Sequence, residues 1–584
     1  MKFNARQFIL IGLGLLVVYG LVNFVANQVQ TRSQLAQVAS KEPARQEEGV
    51  RSLMQRGVLF DALQGGASKD VRLAAIATLA RLAEDGKNPQ AFKELLQMLK
   101  DPDTESVEAK THPVRDAAKD AVAKVGLGYQ DLLFAAAKDP DGNIRDQSRN
   151  ALKQIGRPLK EEMAKRLEDK DLRMAMGDML SSIGPETVPL ITPYLYPPKL
   201  KADDNEYKTQ LIEILGKFTV SEAATPILQF RDDPNPNVRR SAVTALANIA
   251  QPVGAPVLIK ALSDPTADAS ARAAAAGALG GIATPEANAA MQKAISDFDV
   301  AVAVAATAGL RRAGDKAAAN IAALLAHPEA AVRARAAEAT GGMSDPTLAV
   351  RAFGDADAAV RARAIESIGD ILARAVQVRD DLQTLAAGGD AAALEPALQS
   401  LQTRGAFLEL ARPANAAAKA NAIALLNAQI AAEKDQAKRT PYRERIARLE
   451  SPTVLPPLAE VNENTLAPLV RALSDADGTV AQNAVTAFGR IGEPAIPSLV
   501  RLIGNANEKV AYYASQALVR IGRVAVDPLL AAARAGQPTA RWAAITLGEI
   551  GDGRAAEALQ ALTGSPDPDT AYVAQAALAK VRRT

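Results

Sequence analysis

A short phrase that recurs at intervals of roughly 30 residues constrains this chain most. An apolar residue and an arginine are followed by an alanine-rich stretch, and an Ile-Gly or similar pair comes ten residues after the arginine, as from Arg145 to Ile155 and from Arg239 to Ile249. Each copy contains two stretches with apolar residues at helical spacing, and a proline such as Pro256 stands near the start of the second. A period of roughly 20–50 residues is typical of solenoids, so the pattern predicts an all-α fold of stacked helical hairpins.

Four local signals recur within each repeat. They are an Asp-Pro breaker such as Asp233-Pro234, a Val-Arg pair, an Ala-x-x-Ala-Leu run and the Ile-Gly turn, and they occur over 50–376 and again over 465–584. On these residues the chain resembles the HEAT repeat family, in particular the short alanine-rich bacterial repeats described as phycobilisome-lyase-like. The resemblance implies a right-handed α-solenoid. It says little about activity, because the family spans transport receptors, scaffolds and pigment lyases.

The overall composition argues against several classes of partner and cofactor. The chain carries 68 Lys and Arg against 66 Asp and Glu, so there is no global basic field to attract nucleic acid. Aromatic residues make up only 4%, which disfavours stacking on single-stranded nucleic acid. The chain has no cysteine, and its two histidines, His112 and His327, lie far apart. We therefore expect no disulfide, no metal site and no cofactor.

No catalytic signature is found in the sequence. There is no P-loop, no dinucleotide fingerprint, no nucleophile elbow and no zinc-protease motif, so we expect no catalytic residues. The loops that begin at Asp139 and Asp475 resemble part of a calcium-binding loop. Neither has the glutamate that closes such a loop. Capping of the next helix is therefore the favoured interpretation, and calcium binding is the alternative.

The amino-terminal region contains the longest apolar run. Residues 8–26 read FILIGLGLLVVYGLVNFVA, with Asn23 as the one strongly polar member. As a helix they would span about 28 Å, close to the thickness of the hydrocarbon core. The run is longer than the apolar part of a signal peptide, so we predict an uncleaved anchor, with a cleaved signal or a buried helix as alternatives. Lys2 and Arg6 favour a cytoplasmic amino terminus, which would place the repeats outside the inner membrane of a bacterium.

The predicted organisation has six parts. They are a cytoplasmic tail at 1–7, a transmembrane signal anchor at 8–26, a stalk at 27–49, a first HEAT-like block at 50–376, a helical insert or hinge at 377–462 and a second block at 463–584. The insert lacks the Val-Arg signal and contains long helical candidates such as 416–438. Degenerate repeats with lengthened helices remain the alternative for this segment.

An arginine occupies the same place in most repeats of the first block. These arginines are Arg72, Arg115, Arg145, Arg173, Arg239, Arg272, Arg333 and Arg361. The equivalent positions of the second block hold Ala481, Ala511 and Ala540. The resemblance implies a ladder in which each arginine bonds to an Asp or to backbone of an adjacent turn. The alternative is a basic stripe that grips an acidic ligand, since arginine suits bidentate contacts to carboxylate or phosphate.

The second block concentrates aromatic residues in an aromatic-poor chain. Tyr512 and Tyr513 are followed by Trp542, the only tryptophan, 29 residues after Tyr513. Stacked repeats would place Tyr513 and Trp542 side by side on neighbouring first helices. Core packing is the commoner use of such residues, but aromatic side chains also anchor protein interfaces. Tyr512, Tyr513 and Trp542 are therefore the candidate partner-binding residues.

The sequence favours a membrane-anchored, non-enzymatic scaffold that presents an extended helical surface to a protein partner in the cell envelope. The main alternative is a pigment lyase or isomerase, or another ligand-binding HEAT-repeat protein. A scaffold facing the cytoplasm and an envelope sensor that bends are further alternatives. The sequence leaves the partner and the oligomeric state open, although Gly12, Gly14 and Gly20 would let two copies of the apolar helix approach closely.

Overall fold

The regular structure of the chain is helical. The computed structural model describes residues 5–65, 67–86, 88–102, 112–201, 203–433, 436–451, 455 and 458–583, without the side chains of 5–17, 85–86 and 436–438. No strand occurs in these ranges, and the all-α prediction is confirmed there. The chain divides into two compact units, Met1–Ile249 and Ala250–Thr584. The predicted insert at 377–462 and the repeats that flank it all lie within the second unit.

The first unit consists of helices that follow one another in stacked pairs. Its α-helices are α1 (Ala5–Val38), α2 (Pro43–Gln55), α3 (Leu59–Gln64), α4 (Lys69–Gly86), α5 (Pro89–Met98), α6 (Pro113–Val125), α7 (Gln130–Ala136), α8 (Gly142–Ile155), α9 (Lys160–Lys165), α10 (Arg173–Ile183), α11 (Val188–Ile191), α12 (Asn205–Leu215), α13 (Ser221–Ala224) and α14 (Pro236–Ile249). Successive first helices pack on each other, as α4 does on α6 and α12 on α14.

The second unit continues the same alternation of first and second helices. Its α-helices are α15 (Ala255–Ser263), α16 (Ala269–Ile282), α17 (Pro285–Ala294), α18 (Val300–Ala313), α19 (Ala318–Leu324), α20 (Ala330–Ala339), α21 (Thr347–Ala352), α22 (Ala358–Ala387), α23 (Ala391–Thr403), α24 (Ala416–Ala432), α25 (Gln436–Glu450), α26 (Glu463–Ala472), α27 (Gly478–Ile491), α28 (Ile496–Leu502), α29 (Glu508–Ile521), α30 (Val526–Ala532), α31 (Thr539–Ile550), α32 (Ala556–Leu562) and α33 (Pro568–Val581).

Short 3-10 helices make many of the tight connections. They are Gly126–Tyr129, Arg157–Leu159, Arg166–Glu168, Pro185–Thr187, Thr192–Leu195, Thr225–Asp232, Pro252–Gly254, Gly314–Ala317, Thr340–Gly342, Phe407–Ala411, Pro413–Asn415, Glu493–Ala495, Gly522–Ala525 and Gly553–Ala555. Several of them begin with proline or follow a glycine, where the chain leaves one helix and turns sharply into the next.

Recurring polar residues set the ends of the first helices. The Asp357 carboxylate accepts hydrogen bonds from the backbone N–H groups of Ala359 and Val360 at the start of α22, and Asp477 caps α27 in the same way. These caps satisfy N–H groups that have no partner within the helix. At the other end of α27, Gly492 adopts a φ of 76°, a conformation that glycine tolerates better than other residues. The repeating phrase therefore encodes where each first helix begins and ends.

Small residues set the spacing between first helices. A Cβ atom added to Gly280 of α16 would lie 2.5 Å from the backbone of Gly309 in α18. A Cβ atom added to Gly309 would lie 2.7 Å from the backbone oxygen of Ala276. Any larger side chain at these positions would push the two helices apart, because protein interiors are close-packed. The alanine- and glycine-rich sequence of this region is thus a requirement of its packing.

The repeats on the two sides of the insert are direct neighbours. The first half of α22 packs on both α20 and α27. Asn483 of α27 donates from Nδ2 to the backbone oxygen of Ala362 in α22 over 3.1 Å, although the two residues are 121 positions apart in sequence. Arg311 and Arg490 both bind the carboxylate of Asp370, also in α22. The stack of first helices therefore passes from α22 directly to α27.

The segment between these repeats has a hydrophobic core of its own. The second half of α22 packs with α23 and α24, and α24 packs with α25. Their shared buried side chains include Leu385, Leu398, Leu401, Leu410 and Leu426. The segment 377–462 is thus a helical excursion whose flanking repeats stay stacked, as far as its described residues show.

The prediction of a membrane anchor over 8–26 was wrong. The predicted single-pass location in the inner membrane, with the repeats outside the cytoplasm, was wrong with it. In the part of the chain that the structure describes, no helix is both long enough and apolar enough to cross a membrane. The apolar run does not end as a separate span, because α1 continues without a break through the polar residues that follow it to Val38. Part of the predicted anchor, 8–17, lies outside the residues whose side chains are described.

The expected stalk at 27–49 is the end of α1 together with the start of α2. Arg56, just after α2, donates from Nη1 to Oε1 of Gln34 in α1 over 2.6 Å. Val38 and Val50 are fully buried where the two helices meet. This packing explains why the segment is ordered as a helical pair and not as an extended linker.

Candidate functional site

Three arginines of the second unit hold an aspartate of the next repeat with two hydrogen bonds each. Arg272 binds Asp297 over 2.6 and 2.7 Å, and Arg333 binds Asp355 over 2.7 and 3.1 Å. Arg361 binds Asp475 over 2.9 Å through both Nε and Nη2. We call these bidentate pairs the Arg–Asp clamps. The parallel geometry of two N–H donors on one carboxylate is the strongest form of such an ion pair.

Two of the three clamps are closed on both sides. Arg333 and Arg361 also donate from Nη1 to carbonyl oxygens of the turn before their own helix, as in the 2.9 Å contact between Arg333 and the oxygen of His327. The carboxylate of Asp355 accepts the backbone N–H of Asp357 as well. These hydrogen bonds, led by those from Arg333, lower the pKa of Asp355, and those from Arg361 lower the pKa of Asp475. The guanidinium and carboxylate groups of these two clamps are thus engaged within the protein, whereas the buried Nε of Arg272 has no hydrogen-bond partner.

The arginines of the first unit are also engaged, with less regular partners. The Nε atom of Arg72 lies 3.4 Å from a carboxylate oxygen of Asp101, and Arg115 donates to Oδ1 of Asn143. The other three bind carbonyl oxygens of the preceding turn: Arg145 binds Asp139, Arg173 binds Leu167 and Arg239 binds Asp233. Every predicted member of the arginine row therefore has an internal contact in its own unit.

The repeats after the insert lack the clamps. Ala481, Ala511 and Ala540 occupy the clamp positions and are almost fully buried. Instead of a clamp, the hydroxyls of Ser515 and Thr546 form a buried hydrogen bond of 2.8 Å between α29 and α31. The same apolar core runs through all these helices. Neighbouring repeats are held here by apolar packing, with ion pairs such as Arg541–Glu508 and Lys580–Glu549 at their surface.

The structure brings the three aromatic candidates together. The ring of Tyr512 lies 5.2 Å from the ring of Tyr513 and 6.4 Å from that of Trp542, edge-on to both. Tyr512 is 47% exposed, whereas Tyr513 and Trp542 pack partly against the apolar core. It is therefore the ring of Tyr512 that bridges α29 and α31, a role that the sequence pattern had suggested for the Tyr513–Trp542 pair. We call Tyr512, Tyr513 and Trp542 the aromatic cluster.

Charged side chains border the aromatic cluster. Arg541 donates from Nη2 to Oε1 of Glu508 over 2.6 Å, and its guanidinium carbon lies 5.7 Å from the centre of the Trp542 ring. Asp569 lies 3.8 Å from Nη1 of the same arginine. One repeat further on, Tyr572 is 74% exposed. Tyr572 stands nine residues before Val581, as Tyr512 stands nine before Ile521, so the repeat register contained a signal for it that the local clustering of aromatics did not.

The acidic loops considered for calcium act as helix caps. Asp141 accepts from the N–H groups of Asn143 and Ile144, and Asp139 accepts from the N–H of Asp141. Asp475 is a member of a clamp, and Asp477 caps α27. Among the described residues, no group of three or more acidic or histidine side chains is arranged to hold a metal ion.

Comparison with known proteins identifies the repeats. The family model described as HEAT repeats matches residues 198–270, 466–542 and 496–579, so the predicted HEAT-repeat resemblance is confirmed for these segments. No curated protein matches the chain.

Several solved helical-repeat structures are similar at low identity. Kap121p is 11% identical, with a TM-score of 0.36, over 95% of this chain and 75% of that chain. Yeast importin-beta (Kap95p) is 14% identical, with a TM-score of 0.28, over 96% of this chain and 89% of that chain. Human deoxyhypusine hydroxylase is 20% identical, with a TM-score of 0.19, over 57% of this chain and 97% of that chain.

Proposed function

We propose that this protein is a non-enzymatic HEAT-repeat scaffold that binds a protein partner through the aromatic cluster of its carboxy-terminal repeats. The observation that carries the proposal is the exposed ring of Tyr512, held edge-on against Trp542 in a chain with only 4% aromatic residues. Tyrosine and tryptophan dominate the residues that contribute most to protein interfaces. A rigid pair of rings on two packed helices also loses little conformational freedom when it is covered.

The surroundings of the cluster support a protein partner. Glu508, Arg541 and Asp569 place charges of both signs around the rings. An apolar centre within a charged rim is the usual organisation of a protein interface. The mixed signs do not favour a polyanion, in agreement with the near-neutral charge of the chain.

The arginine row supports the proposal by its internal contacts. A surface that grips an acidic ligand needs guanidinium groups with free donors directed outward. The clamps instead direct two N–H donors of each of Arg272, Arg333 and Arg361 to an aspartate of the same unit. The row thus works as a structural device, and the aromatic cluster remains the better binding site. No specific observation favours the lyase alternative, which stays a prediction from the resemblance.

Site-specific photocrosslinking in the source cells tests the proposal. A benzophenone amino acid replaces Tyr512 in one full-length variant and Val524 in a matched control, because Val524 is 54% exposed on a turn away from the cluster. We expect one protein to crosslink from position 512 in near-equal amount and not from position 524. The same crosslink should disappear when Trp542→Ala is added. Identical products from the two positions, or no product from 512, would contradict the proposal.

A further inference from the structure

A backbone oxygen at one fixed place of the repeat binds a cation along much of the chain. It belongs to the residue six positions before the arginine of the arginine row, and in five repeats that arginine donates to it. The five pairs are Arg145 with Asp139, Arg173 with Leu167, Arg239 with Asp233, Arg333 with His327 and Arg361 with Asp355. After the insert, where Ala481 replaces the arginine, Lys509 donates instead to the corresponding oxygen of Asp475. This carbonyl group therefore binds a cation even in a repeat that has lost its arginine.

The repeat that contains α31 keeps this oxygen but supplies no cation for it. Ala540 occupies the place of the arginine, and the oxygen belongs to Arg534, six residues earlier. Among the hydrogen bonds of the described residues, none ends on this oxygen. The aspartate of the clamp is also replaced, because Ser565 stands two residues before the helix cap Asp567, where the clamped repeats have their aspartate. Both partners of a clamp are thus exchanged here for small side chains.

A cleft of about 700 Å³ opens at this place. It is lined by Ala540, by Arg534, Ala535 and Gly536 of the turn before α31, and by Ser565 and Asp567 of the turn before α33. Ala540 itself is almost fully buried, so it lies at the base of the cleft. The volume is within the range of clefts that hold small ligands. We call it the clamp cleft.

The charges around the clamp cleft favour a cationic ligand. The charged side chains that line it are Arg534, Arg554, Glu557 and Asp567. Arg554 is already bound by two aspartates that lie outside the lining. One cation and two carboxylates remain, so the lining is complementary to one further positive charge.

We propose that the clamp cleft takes an arginine side chain of another protein, whose guanidinium group replaces that of the missing clamp arginine. This group donates to the backbone oxygens of Arg534 and Ala535 and faces the carboxylate of Asp567. The carbonyl groups six and five residues before the row arginine are bridged in this way by Nη1 of Arg239, Arg333 and Arg361. The turn before α31 therefore offers an arrangement that three other repeats already use to bind a guanidinium.

The shape of the clamp cleft favours arginine over lysine. A guanidinium is a planar fork of N–H donors that reaches two carbonyl oxygens and a carboxylate at once, whereas an ammonium is a compact point charge. Lys509 illustrates the difference, because the hydrogen bond from its Nζ goes to only one of the two carbonyl oxygens of its turn. Leu530 and Leu562, both partly exposed, line the cleft and would pack on the methylene groups of the arginine stem. An arginine residue of a protein segment thus matches both the polar and the apolar parts of the cleft.

Ligand-observed saturation-transfer NMR with the purified full-length chain tests the inference. The probes are N-acetyl-arginine amide, which imitates an arginine residue within a protein, and the corresponding lysine and citrulline compounds. We expect the arginine compound to bind with a dissociation constant of about 1 mM, as is usual for a ligand of about 15 non-hydrogen atoms. The lysine compound should bind at least about threefold more weakly, and the uncharged citrulline compound should not bind. No binding of the arginine compound at about 10 mM, or equal binding of all three compounds, would overturn the proposal.

Restoring the clamp should close the site. Ala540→Arg gives the chain a guanidinium of its own at the clamp position, so we expect it to weaken binding of the arginine compound at least tenfold. The matched control Val304→Arg adds the same group at a valine of α18 that is 56% exposed, and it should leave binding unchanged. Glu557→Gln removes a negative charge from an exposed side chain of the cleft and should weaken binding at least about threefold, even if Ala540→Arg does not fold. Circular dichroism checks the folding of each variant, and unchanged binding in either folded cleft variant would refute the assignment.

Two further comparisons identify the source of the arginine and separate this site from the aromatic cluster. Free arginine carries charged α-amino and α-carboxyl groups in place of the blocked ends of the probe. If free arginine bound more tightly than N-acetyl-arginine amide, the cleft would serve a free amino acid, and the proposal of a protein side chain would be wrong. The small probe reports on the clamp cleft alone, whereas photocrosslinking from position 512 reports on the aromatic cluster. Failure of one result therefore leaves the other standing.

Discussion

Neighbouring repeats are joined by different interactions before and after the insert. Before it, Arg272 and Arg333 hold aspartates of the following repeats, and Arg361 reaches past the whole insert to Asp475. After it, alanine occupies the same position, as at Ala511, and the helices are held by a continuous apolar core. The difference teaches that one helical period can be stabilised by bidentate ion pairs at a fixed repeat position or by a continuous apolar core with other ion pairs only at its surface.

The two ways of joining neighbouring repeats leave different side chains exposed on the surface. In the clamped repeats, polar groups at the turn are consumed by contacts between repeats. In the carboxy-terminal repeats, the alanine at the clamp position forms no ion pair with the next turn, and the residue after it is an exposed tyrosine in α29 and α33, Tyr512 and Tyr572. The repeats without clamps therefore expose two tyrosines at the same register position, whereas the exposed aromatic residue of the clamped repeats, Phe298, directly follows a clamp aspartate.

Removal of the clamp that spans the insert should have the largest effect on this comparison. Arg361→Ala leaves the carboxylate of Asp475, whose side chain is only 10% exposed, without its partner. We expect a local destabilisation of about 3 kcal/mol, or roughly a hundredfold faster hydrogen exchange in α22 and α27. Hydrogen exchange followed by mass spectrometry on the full chain measures this, and the exposed neighbour Arg363→Ala should change exchange by less than about 0.5 kcal/mol.

A double variant distinguishes the stability lost with the ion pair itself from the cost of leaving one buried charge without a partner. Arg361→Met combined with Asp475→Leu removes both charges and keeps apolar volume. We expect it to recover most of the protection that Arg361→Ala loses, because apolar replacement of a buried pair is often neutral. If the double variant lost as much protection from hydrogen exchange as Arg361→Ala, the clamp would stabilise the fold by more than the neutralisation of its own two charges.

First helices approach each other closely in both regions, but the two regions should differ in how well they tolerate an added methyl group. A Cβ on Gly280 would lie 2.5 Å from the backbone of Gly309, whereas a Cβ on Gly489 in α27 would lie 3.0 Å from the side chain of Arg520. Backbone cannot move aside as a long side chain can. We expect Gly280→Ala to cost about 2 kcal/mol and Gly489→Ala to be neutral or stabilising, since alanine favours helices. Thermal unfolding of the two variants makes the comparison, and equal melting temperatures would contradict it.

Acid should weaken the clamps, and a substitution of Asp475 can isolate the part of this pH dependence that comes from one clamp. The pKa of Asp475 is lowered from 3.8 by the hydrogen bonds from Arg361, so its ionised form stabilises the folded state. A lowered folded pKa gives stability that is complete above the unfolded pKa and is lost as pH falls through the folded value. At pH 7 we expect Asp475→Asn to be less stable by about 1–2 kcal/mol, and this difference should shrink below pH 3.8. Melting curves at pH 7 and pH 3 test this, and a difference independent of pH would contradict it.

The fold was largely predictable because its determinants are local. The Asp caps, the alanine-rich first helices and the glycine turns recur within each repeat, so the period indicated stacked hairpins before any contact was known. The contact of Arg361 with Asp475 was not predictable, because the next repeat follows 114 residues later in sequence. Only the packing shows that the first half of α22 belongs to the stack of first helices and that its second half belongs to the helical excursion.

The apolar run at 8–26 and the aromatic cluster show two further limits of sequence reasoning. Hydropathy predicted a span with defined ends, whereas α1 continues to Val38 and packs there on α2. The 29-residue step correctly indicated that aromatics of α29 and α31 meet, but the bridging ring belongs to Tyr512. A repeat length gives the register of helices along the stack, and side-chain direction decides which of two adjacent residues reaches the neighbour.

The smallest effect on stability should come from the residue with the largest proposed effect on binding. Tyr512 is half exposed and touches other rings only edge-on, so Tyr512→Ala should change the melting temperature little, by the equivalent of less than about 1 kcal/mol. Once its partner is identified, the same variant should weaken binding by at least about 2 kcal/mol, or roughly thirtyfold, as expected for an aromatic residue at the centre of an interface. Isothermal titration of wild type, Tyr512→Ala and the control Val524→Ala measures the binding, and thermal unfolding of the same preparations measures the melting temperatures. If Tyr512→Ala bound the partner normally, the binding site would not be in the repeats without clamps. The two regions would then differ in how their repeats are joined but not in partner binding.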